Sequence, residues 1–344
     1  MTTSKRVSMK AVRTDEEIEC TGIDAGLRAR GVSLVTLPDG VSEDALLLAA
    51  ADADLLLVCY TPITARVIDA AAKLKGIVKY GVGVDSIDIP AAVRRGIPVV
   101  NVPEYAEETV AEGAFALMIA LAKRLPEIRR TMEQDGWIWP ASRWLSRDVA
   151  GSTLGLVGCG KIGRSMARMA GQGFRAKVLG FDPYVDAATM AALGVEKFGD
   201  LRAMLSRCDF VSVHCVLNDA TRNLIGRAEL SCLRPTAILV NVSRGALIDE
   251  KALVEVVVAR RIGGLALDVY SKEPLAMAGH PMSALFGRDD VILFPHLTFF
   301  TQDAMLRLES DTLARCFEIL EGHPVTVRSR DPRLRAQSVG VRFE

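Results

Sequence analysis

Short apolar runs alternate with amphipathic stretches along most of the chain. In the first third, strands are predicted at Val7 to Val12, Val32 to Leu37, Ala53 to Tyr60, Gly76 to Tyr80 and Val99 to Val102. Helical periodicity falls between them, at Asp24 to Arg30 (stopping at Gly31), Glu43 to Ala50 and Thr64 to Ala72. Strand–helix alternation of this kind is the signature of a parallel sheet covered on both faces. Glu107 to Arg124 then reads as a long apolar helix, acidic at its start and ending on Lys123-Arg124, as the helix dipole prefers.

The alternation resumes after a segment of little periodicity. Strands are predicted at Leu154 to Val157, Val178 to Phe181, Phe210 to Cys215, Thr236 to Val242, Leu265 to Val269 and Val291 to Phe294. Helices are predicted at Ile162 to Ala170, Ala187 to Leu193, Leu201 to Ser206 and Glu250 to Arg261. A final helix, Gln302 to Leu320, ends at Gly322, and its late position suggests a return to the first domain. The tail, Val325 to Glu344, has little pattern and reads as a partly ordered surface segment. A domain boundary is placed near Pro103, where the fifth strand breaks.

One stretch carries more than periodicity. The strand Leu154 to Val157 runs into Gly158, Gly160 and Gly163, spaced as G-x-G-x-x-G, and the next strand ends on Asp182. The first glycine makes the tight turn, the second admits a pyrophosphate to the backbone, and the third permits close helix–strand packing. The helix that follows offers free N–H groups and a partial positive charge to phosphates. Asp182 is placed to accept hydrogen bonds from ribose hydroxyls. Strand, helix and acid in register make this a dinucleotide site rather than a stray glycine turn. Pro183 and Tyr184 follow Asp182 where a 2′-phosphate would need a cation, which favours NAD over NADP.

Bulk composition narrows the class. A chain of 344 residues, half of them hydrophobic, suits two domains with a sizeable core. Lys plus Arg number 42 and Asp plus Glu number 42, so no basic excess is present to hold a nucleic-acid backbone. The seven cysteines (Cys20, Cys59, Cys159, Cys208, Cys215, Cys232 and Cys316) are scattered and never spaced as C-x-x-C. That is neither a disulfide framework nor a zinc site, and it fits a reducing cytoplasm. The first residues lead into no apolar signal core, and the longest apolar runs, such as Ala114 to Ala122, are too short to span a bilayer. The expectation is a soluble, cytoplasmic protein with no metal.

Tyr80-Gly81-Val82-Gly83-Val84-Asp85 stands at the carboxyl end of a predicted strand, where open α/β sheets place ligands. Its backbone N–H groups could hold a carboxylate; a plain strand–helix turn explains the segment equally well. Trp137, Trp139 and Trp144 all fall in the unpatterned segment ahead of the dinucleotide strand. Aromatics in an extended arm suggest a subunit interface, and packing against the domain edge is the competing reading.

Hydride transfer to a carbonyl needs a proton donor near neutral pH, and histidine is the natural one. Of the four histidines, His323 reads as exposed turn, His280 lies in a Gly-His-Pro loop without strand context, and His214 ends a buried strand as core or cofactor edge. His296, after Pro295 at a strand's carboxyl end, is best placed, with a structural histidine as the competing reading. Arg244, in Asn-Val-Ser-Arg-Gly after a very apolar strand, could clamp a carboxylate with two hydrogen bonds. Glu273, after another strand, could favour the imidazolium of His296 and fix its tautomer.

Gly81-Val82-Gly83-Val84-Asp85, the Gly158-x-Gly160-x-x-Gly163 turn, Asn241 to Gly245, Asp268 through Glu273-Pro274, and Pro295-His296 together resemble the D-isomer-specific 2-hydroxyacid dehydrogenases. The resemblance runs from about Asp54 to Leu320. It implies two Rossmann-like, doubly wound parallel-sheet α/β domains with a cleft between them. Residues 1–103 and 297–344 would form the substrate domain and 104–296 the NAD domain. It implies a catalytic trio of Arg244, Glu273 and His296, in which His296 exchanges a proton with the substrate oxygen. Cofactor contacts are implied at Gly158, Gly160, Lys161, Ile162, Gly163, Asp182, Cys215, Val242, Ser243, Arg244, Asp268, His296 and Thr109. Val82 and Gly83, with Arg244 and His296, would meet the substrate, and a homodimer would form through Trp137 to Trp144.

Departures bear on the substrate. Phosphoglycerate dehydrogenases carry an arginine near Cys59-Tyr60-Thr61 and an asparagine near Ala106; neither is present here. Val216 replaces a common proline, and Phe299 and Phe300 replace smaller residues, either to bound the cleft or simply to pack. No added regulatory domain is expected after the last helix. The expectation is an enzyme for a small 2-hydroxy or 2-oxo acid, of glyoxylate or hydroxypyruvate type, with phosphoglycerate as the alternative. A dinucleotide-sensing corepressor on the same fold is the rival of another class.

Overall fold

The computed structural model describes residues 9–344. By its internal packing the chain divides into two compact units, Met1–Ala106 with Thr301–Glu344, and Glu107–Phe300.

The first unit is built from β1 (Lys10–Arg13), α1 (Thr21–Ala29), β2 (Ser33–Thr36), α2 (Glu43–Ala50), β3 (Leu55–Val58), α3 (Ala65–Ala70), β4 (Gly76–Lys79), α4 (Ile89–Arg94) and β5 (Val99–Asn101). Its five strands pair in the order β2-β1-β3-β4-β5, all parallel. Every residue of β3, β4 and β5 is buried, as strands between two helical layers must be, including the polar Lys79 and Asn101 that end β4 and β5. The order reverses between β1 and β3, so the ligand-accepting crevice of this unit lies at the carboxyl ends of those strands and their neighbours.

The second unit opens with α5 (Glu107–Ala122) and α6 (Leu125–Asp135). It continues through β6 (Thr153–Val157), α7 (Lys161–Arg168), β7 (Lys177–Phe181), α8 (Ala187–Ala192), β8 (Val195–Lys197), α9 (Leu201–Leu205) and β9 (Phe210–Val213). It closes with α10 (Arg227–Ser231), β10 (Ile238–Asn241), α11 (Glu250–Val258), β11 (Gly264–Leu267) and β12 (Val291–Leu293). The parallel sheet runs β12-β11-β10-β9-β6-β7-β8, reversing direction between β6 and β9. Two apolar cores cover its faces. One gathers Met204, Leu230, Leu253 and Leu267 beneath α9 to α11; the other gathers Phe115, Met118, Leu156 and Met166 beneath α5 and α7. Each fully buried leucine or valine contributes roughly 2 kcal/mol.

Back in the first unit, α12 (Gln302–Leu320) is followed by β13 (Val325–Val327), α13 (Pro332–Arg335) and β14 (Val341–Phe343). The fully parallel, helix-covered sheets agree with the α/β expectation. The expected opening strand begins at Lys10; Val7 and Ser8 lie outside the described residues. The tail corrects the expectation of a patternless segment. β13 and β14 pair in parallel, and β13 is buried throughout. The Gln337 side chain stands in for a strand beside β5, its Oε1 accepting from Val99 N at 2.7 Å and its Nε2 donating to Val99 O at 2.8 Å. Three helices were unexpected, α4, α6 and α10. The first and last are six and five residues long, too short to show a period, and α6 buries none of its residues. Among the described residues, no helix is long and apolar enough to cross a membrane.

Candidate active site

The glycine turn leaves β6 where the sheet order reverses. Gly158 has φ +97°, and a Cβ there would stand 2.7 Å from Cys215 N and from the His214 carbonyl carbon. A Cβ on Gly163 would run into the carbonyl of Gly158 itself, so α7 packs onto the turn only because both residues lack side chains. Gly160 meets nothing within 4 Å; the space above it is open, directly at the N-terminus of α7. Asp182 secures the turn from β7: its Oδ2 accepts from Cys159 N at 2.9 Å, and its Oδ1 from Tyr184 N and Val185 N at 2.8 and 3.2 Å. A carboxylate has about four acceptor positions, so one direction on Oδ2 is left for a ribose hydroxyl. The open Gly160 face, the helix terminus and this remaining acceptor fit a dinucleotide.

The surroundings are rigid. Lys161 pairs with Glu107 at 2.9 Å, and Ser165 Oγ donates to Glu108 at 2.7 Å, pinning α7 to the first turn of α5, which also carries the buried Thr109. Ile162 is partly buried against the α5–α7 core. Burial, with the charge of Asp182 added, raises the thiols of Cys159 and Cys215 to about 12 and about 11, so both are inert packing groups beside the turn. His214 is buried as well. Its Nε2 lies 2.8 Å from Ser212 Oγ, its Nδ1 has no partner, and burial lowers its pKa to about 4. It is a neutral core histidine under the turn.

The trio forms at the carboxyl ends of β10, β11 and β12. Asn241, fully buried at the end of β10, folds the chain back: its Nδ2 donates to Arg244 O at 2.9 Å and its Oδ1 accepts from Ser243 N at 3.0 Å. Ser243 Oγ donates to Val213 O at 2.8 Å, and Val242 is buried beneath. Gly245 then passes so close to the next loop that a Cβ would stand 2.5 Å from Tyr270 Cα and nearer still to the Tyr270 carbonyl carbon and Ser271 N. The Arg244 turn and the Tyr270–Glu273 loop are thereby locked together.

Glu273 Oε1 accepts from Tyr270 N at 2.8 Å, and its Oε2 lies 2.8 Å from His296 Nδ1. Burial pushes this carboxyl upward, but the hydrogen bond and charge of His296, the Tyr270 N–H and the charge of Arg244 outweigh it, leaving Glu273 below its ordinary range. An ionised carboxylate only accepts, so Nδ1 carries the hydrogen in this pair. His296 has φ +59°, a left-handed conformation uncommon outside glycine. Asp268 holds it there from beneath, accepting from Leu297 N at 2.8 Å, Thr298 N at 3.0 Å and Thr298 Oγ1. Both Asp268 oxygens are therefore turned to the His296 loop. Phe299 packs edge-on against the imidazole, ring centroids 6.1 Å apart, and Phe300 against Phe299 at 5.9 Å.

In the first unit, the Gly81–Gly83 turn leaves β4 with Gly81 at φ +150° and Val82 half-exposed. Asn101 Nδ2, from β5, donates to Val82 O at 2.6 Å. Sequence reasoning assigned no role to the residues that shape these loops: Asn241, Gly245 and Tyr270, which it named only within motifs, and Thr298, Asn101 and Asp15. A polar residue closing an otherwise apolar strand was the available signal for Asn241 and Asn101.

A reversing parallel sheet with a glycine turn and an acid at the end of its next strand is the arrangement of a dinucleotide-binding protein. Residues 115–298 match the family profile "D-isomer specific 2-hydroxyacid dehydrogenase, NAD binding domain". D-3-phosphoglycerate dehydrogenase of Synechocystis is 36% identical over 92% of this chain and 55% of its own length. Glyoxylate reductase of Korarchaeum cryptofilum is 39% identical over 75% of this chain and 76% of its own. D-lactate dehydrogenase of Aquifex aeolicus, solved with NAD and lactic acid, superposes with a TM-score of 0.80 at 26% identity, covering 91% of this chain and 96% of that one. The chain belongs to the D-isomer-specific 2-hydroxyacid dehydrogenase family, and its cofactor is NAD. It spans about half the length of the phosphoglycerate dehydrogenases it matches.

Proposed function

We propose that the chain is an NAD-dependent oxidoreductase that interconverts a small D-2-hydroxy acid and its 2-oxo acid. The observation that carries this reading is the Glu273–His296 pair, which fixes the hydrogen on Nδ1 and presents Nε2 for proton exchange. When bound, NAD supplies or accepts the hydride. Arg244 holds and polarises the 2-oxo acid, with the Val82 and Gly83 N–H groups on the carboxylate. His296 gives its Nε2 proton to the carbonyl oxygen in reduction and takes it back in oxidation, while Glu273 stabilises the imidazolium formed. Asp182 favours NAD over NADP, because its carboxylate accepts from a ribose hydroxyl and repels a 2′-phosphate.

By this reading residues 104–296 are the cofactor domain, and 1–103 with 297–344 the substrate domain. The absence of an arginine from Cys59 to Thr61 favours a glyoxylate- or hydroxypyruvate-type acid over phosphoglycerate. Exposed Trp137, Trp139 and Leu145 support a homodimer through that arm, and seven free cysteines support a cytoplasmic setting. The test is NADH oxidation with glyoxylate, hydroxypyruvate, pyruvate, phenylpyruvate and 3-phosphohydroxypyruvate. Turnover with at least one, and with glyoxylate or hydroxypyruvate preferred, is expected. Tight NADH binding without turnover on any of them would leave a dinucleotide sensor instead.

A further inference from the structure

Lys79 closes β4 and is only 5% exposed. An ammonium at that depth is costly unless it is paired. The groups around it pair it poorly. Nζ donates to the Cys59 carbonyl, lies 3.4 Å from Cys59 Sγ, and sits 5.6 Å from the centre of the Tyr60 ring. Among the described residues, no carboxylate stands within 4.0 Å of it. Asp15, which reaches the same Cys59 backbone, is committed elsewhere: it accepts from the N–H groups of Cys59, Tyr60 and Thr61 and from the hydroxyls of Thr14 and Thr61.

The ammonium lies under the Gly81–Gly83 turn, since a Cβ on Gly81 would come within 3.6 Å of Nζ and 3.3 Å of Cε. Lys79 is also the register partner of Asn101 on β5, so the two side chains share a face at the strand ends. Asn101 is 3% exposed, its amide is oriented by donation to Val82 O, and its Oδ1 has no partner. Two buried polar groups, one cationic and one still short of a donor, thus flank the Gly81–Gly83 turn at the carboxyl ends of β4 and β5. The arginine missing from Cys59 to Thr61 is answered by a cation from the neighbouring strand.

We propose that Lys79 is the anion-recognising residue of the first unit, pairing with a carboxylate or phosphate of the substrate on the Gly81–Gly83 turn. This rests on the dehydrogenase reading above. Lys79 binds and does not exchange the reacting proton, so its loss acts on substrate affinity before turnover. The experiment compares wild type, Lys79→Met and Lys79→Arg, with thermal melting as the folding control. Steady-state constants are taken with glyoxylate, which has one carboxylate, and with oxaloacetate and 3-phosphohydroxypyruvate, which add a second anion. Lys79→Met should raise KM roughly tenfold or more, with kcat within about threefold, NADH affinity unchanged, and recovery in Lys79→Arg. A KM rise shared by all three acids assigns Lys79 to the common carboxylate; a rise confined to the dianions assigns it to the distal group. Unchanged KM for every acid, or a fall in kcat alone, overturns the proposal.

Binding of the unreactive 2-oxo acid mimic oxamate, by calorimetry on the NADH-loaded full chain, separates the two readings. Weaker oxamate binding in Lys79→Met supports the site even if no acid is turned over, whereas equal binding overturns it. Should Lys79→Met not fold, the wild type still decides. Oxamate with NADH should protect Lys79 from acylation by an amine-reactive reagent read by peptide mass, and absence of protection refutes the contact.

Discussion

Gly245→Ala tests whether the trio depends on contact between two loops. A Cβ at this position would stand 2.5 Å from Tyr270 Cα, where ordinary contact begins near 3.4 Å, so the backbones must part by about 0.9 Å. The two closer atoms, the Tyr270 carbonyl carbon and Ser271 N, demand more. All three belong to backbone, which cannot swing aside as a side chain can. The displaced loop carries Glu273, whose Oε2 is 2.8 Å from His296 Nδ1. Adding the displacement takes that pair out of hydrogen-bond range. Misplacement on this scale costs roughly a hundredfold in kcat, and overpacking costs about 1–3 kcal/mol in stability. The assay is steady-state NADH oxidation with the best 2-oxo acid, alongside NADH binding by fluorescence and a thermal melt. Turnover should fall far more than NADH affinity, because the turn at Gly158 is built on other strands. A variant with kcat within about threefold of wild type and an unchanged melt would refute the coupling.

Three further outcomes follow from the same geometry. His296→Ala should lower kcat by about three powers of ten while sparing NADH binding, and loss of both would make the residue structural. Asp182→Ala should weaken NADH and narrow its advantage over NADPH in kcat/KM; an unchanged ratio would count against the ribose contact. It should also cost about 1–3 kcal/mol in denaturant melts, since three backbone N–H groups lose their acceptor. His214 is held neutral by burial, with a pKa of about 4 against an ordinary 6.5. Below pH 6.5 the unfolded chain takes up a proton that the folded one refuses, so stability falls by about 2 kcal/mol between pH 7 and 5. Urea melts of His214→Gln should show a shallower loss over that window, and an identical slope would exclude the residue.

The sheets and the site were legible to different degrees for physical reasons. Strands such as Leu55–Val58 and Ile238–Asn241 are buried on both faces, so their apolar runs stand out, and Gln302–Leu320 shows its period over five turns. Arg244, Glu273 and His296 were singled out because each follows such a strand. What sequence could not display is pairing across distance. Gln337 completing the edge of β5, Asp15 gathering the Cys59–Thr61 backbone and Asp268 holding the His296 loop join residues 238, 44 to 46, and 29 to 30 positions apart. The short α4 spans too few residues to show a period, and α6 buries none of its residues although Leu125, Ile128 and Met132 recur at helical spacing.

Two acids attend His296, and their environments drive them apart. Burial raises Asp268, against the hydrogen bonds from Thr298 and Leu297 and the charge of His296; Glu273 ends lowered by its contacts with His296, Tyr270 and Arg244. Opposite shifts of neighbouring acids separate their roles. Glu273 keeps its negative charge at the imidazole, where the proposed oxidation of an alcohol would form an imidazolium. Asp268 instead fastens the backbone on which the strained φ of His296 depends. Replacing Glu273 therefore removes charge from the reacting ring, whereas replacing Asp268 releases the loop that aims it. Only the second should disturb the geometry of Leu297 and Thr298.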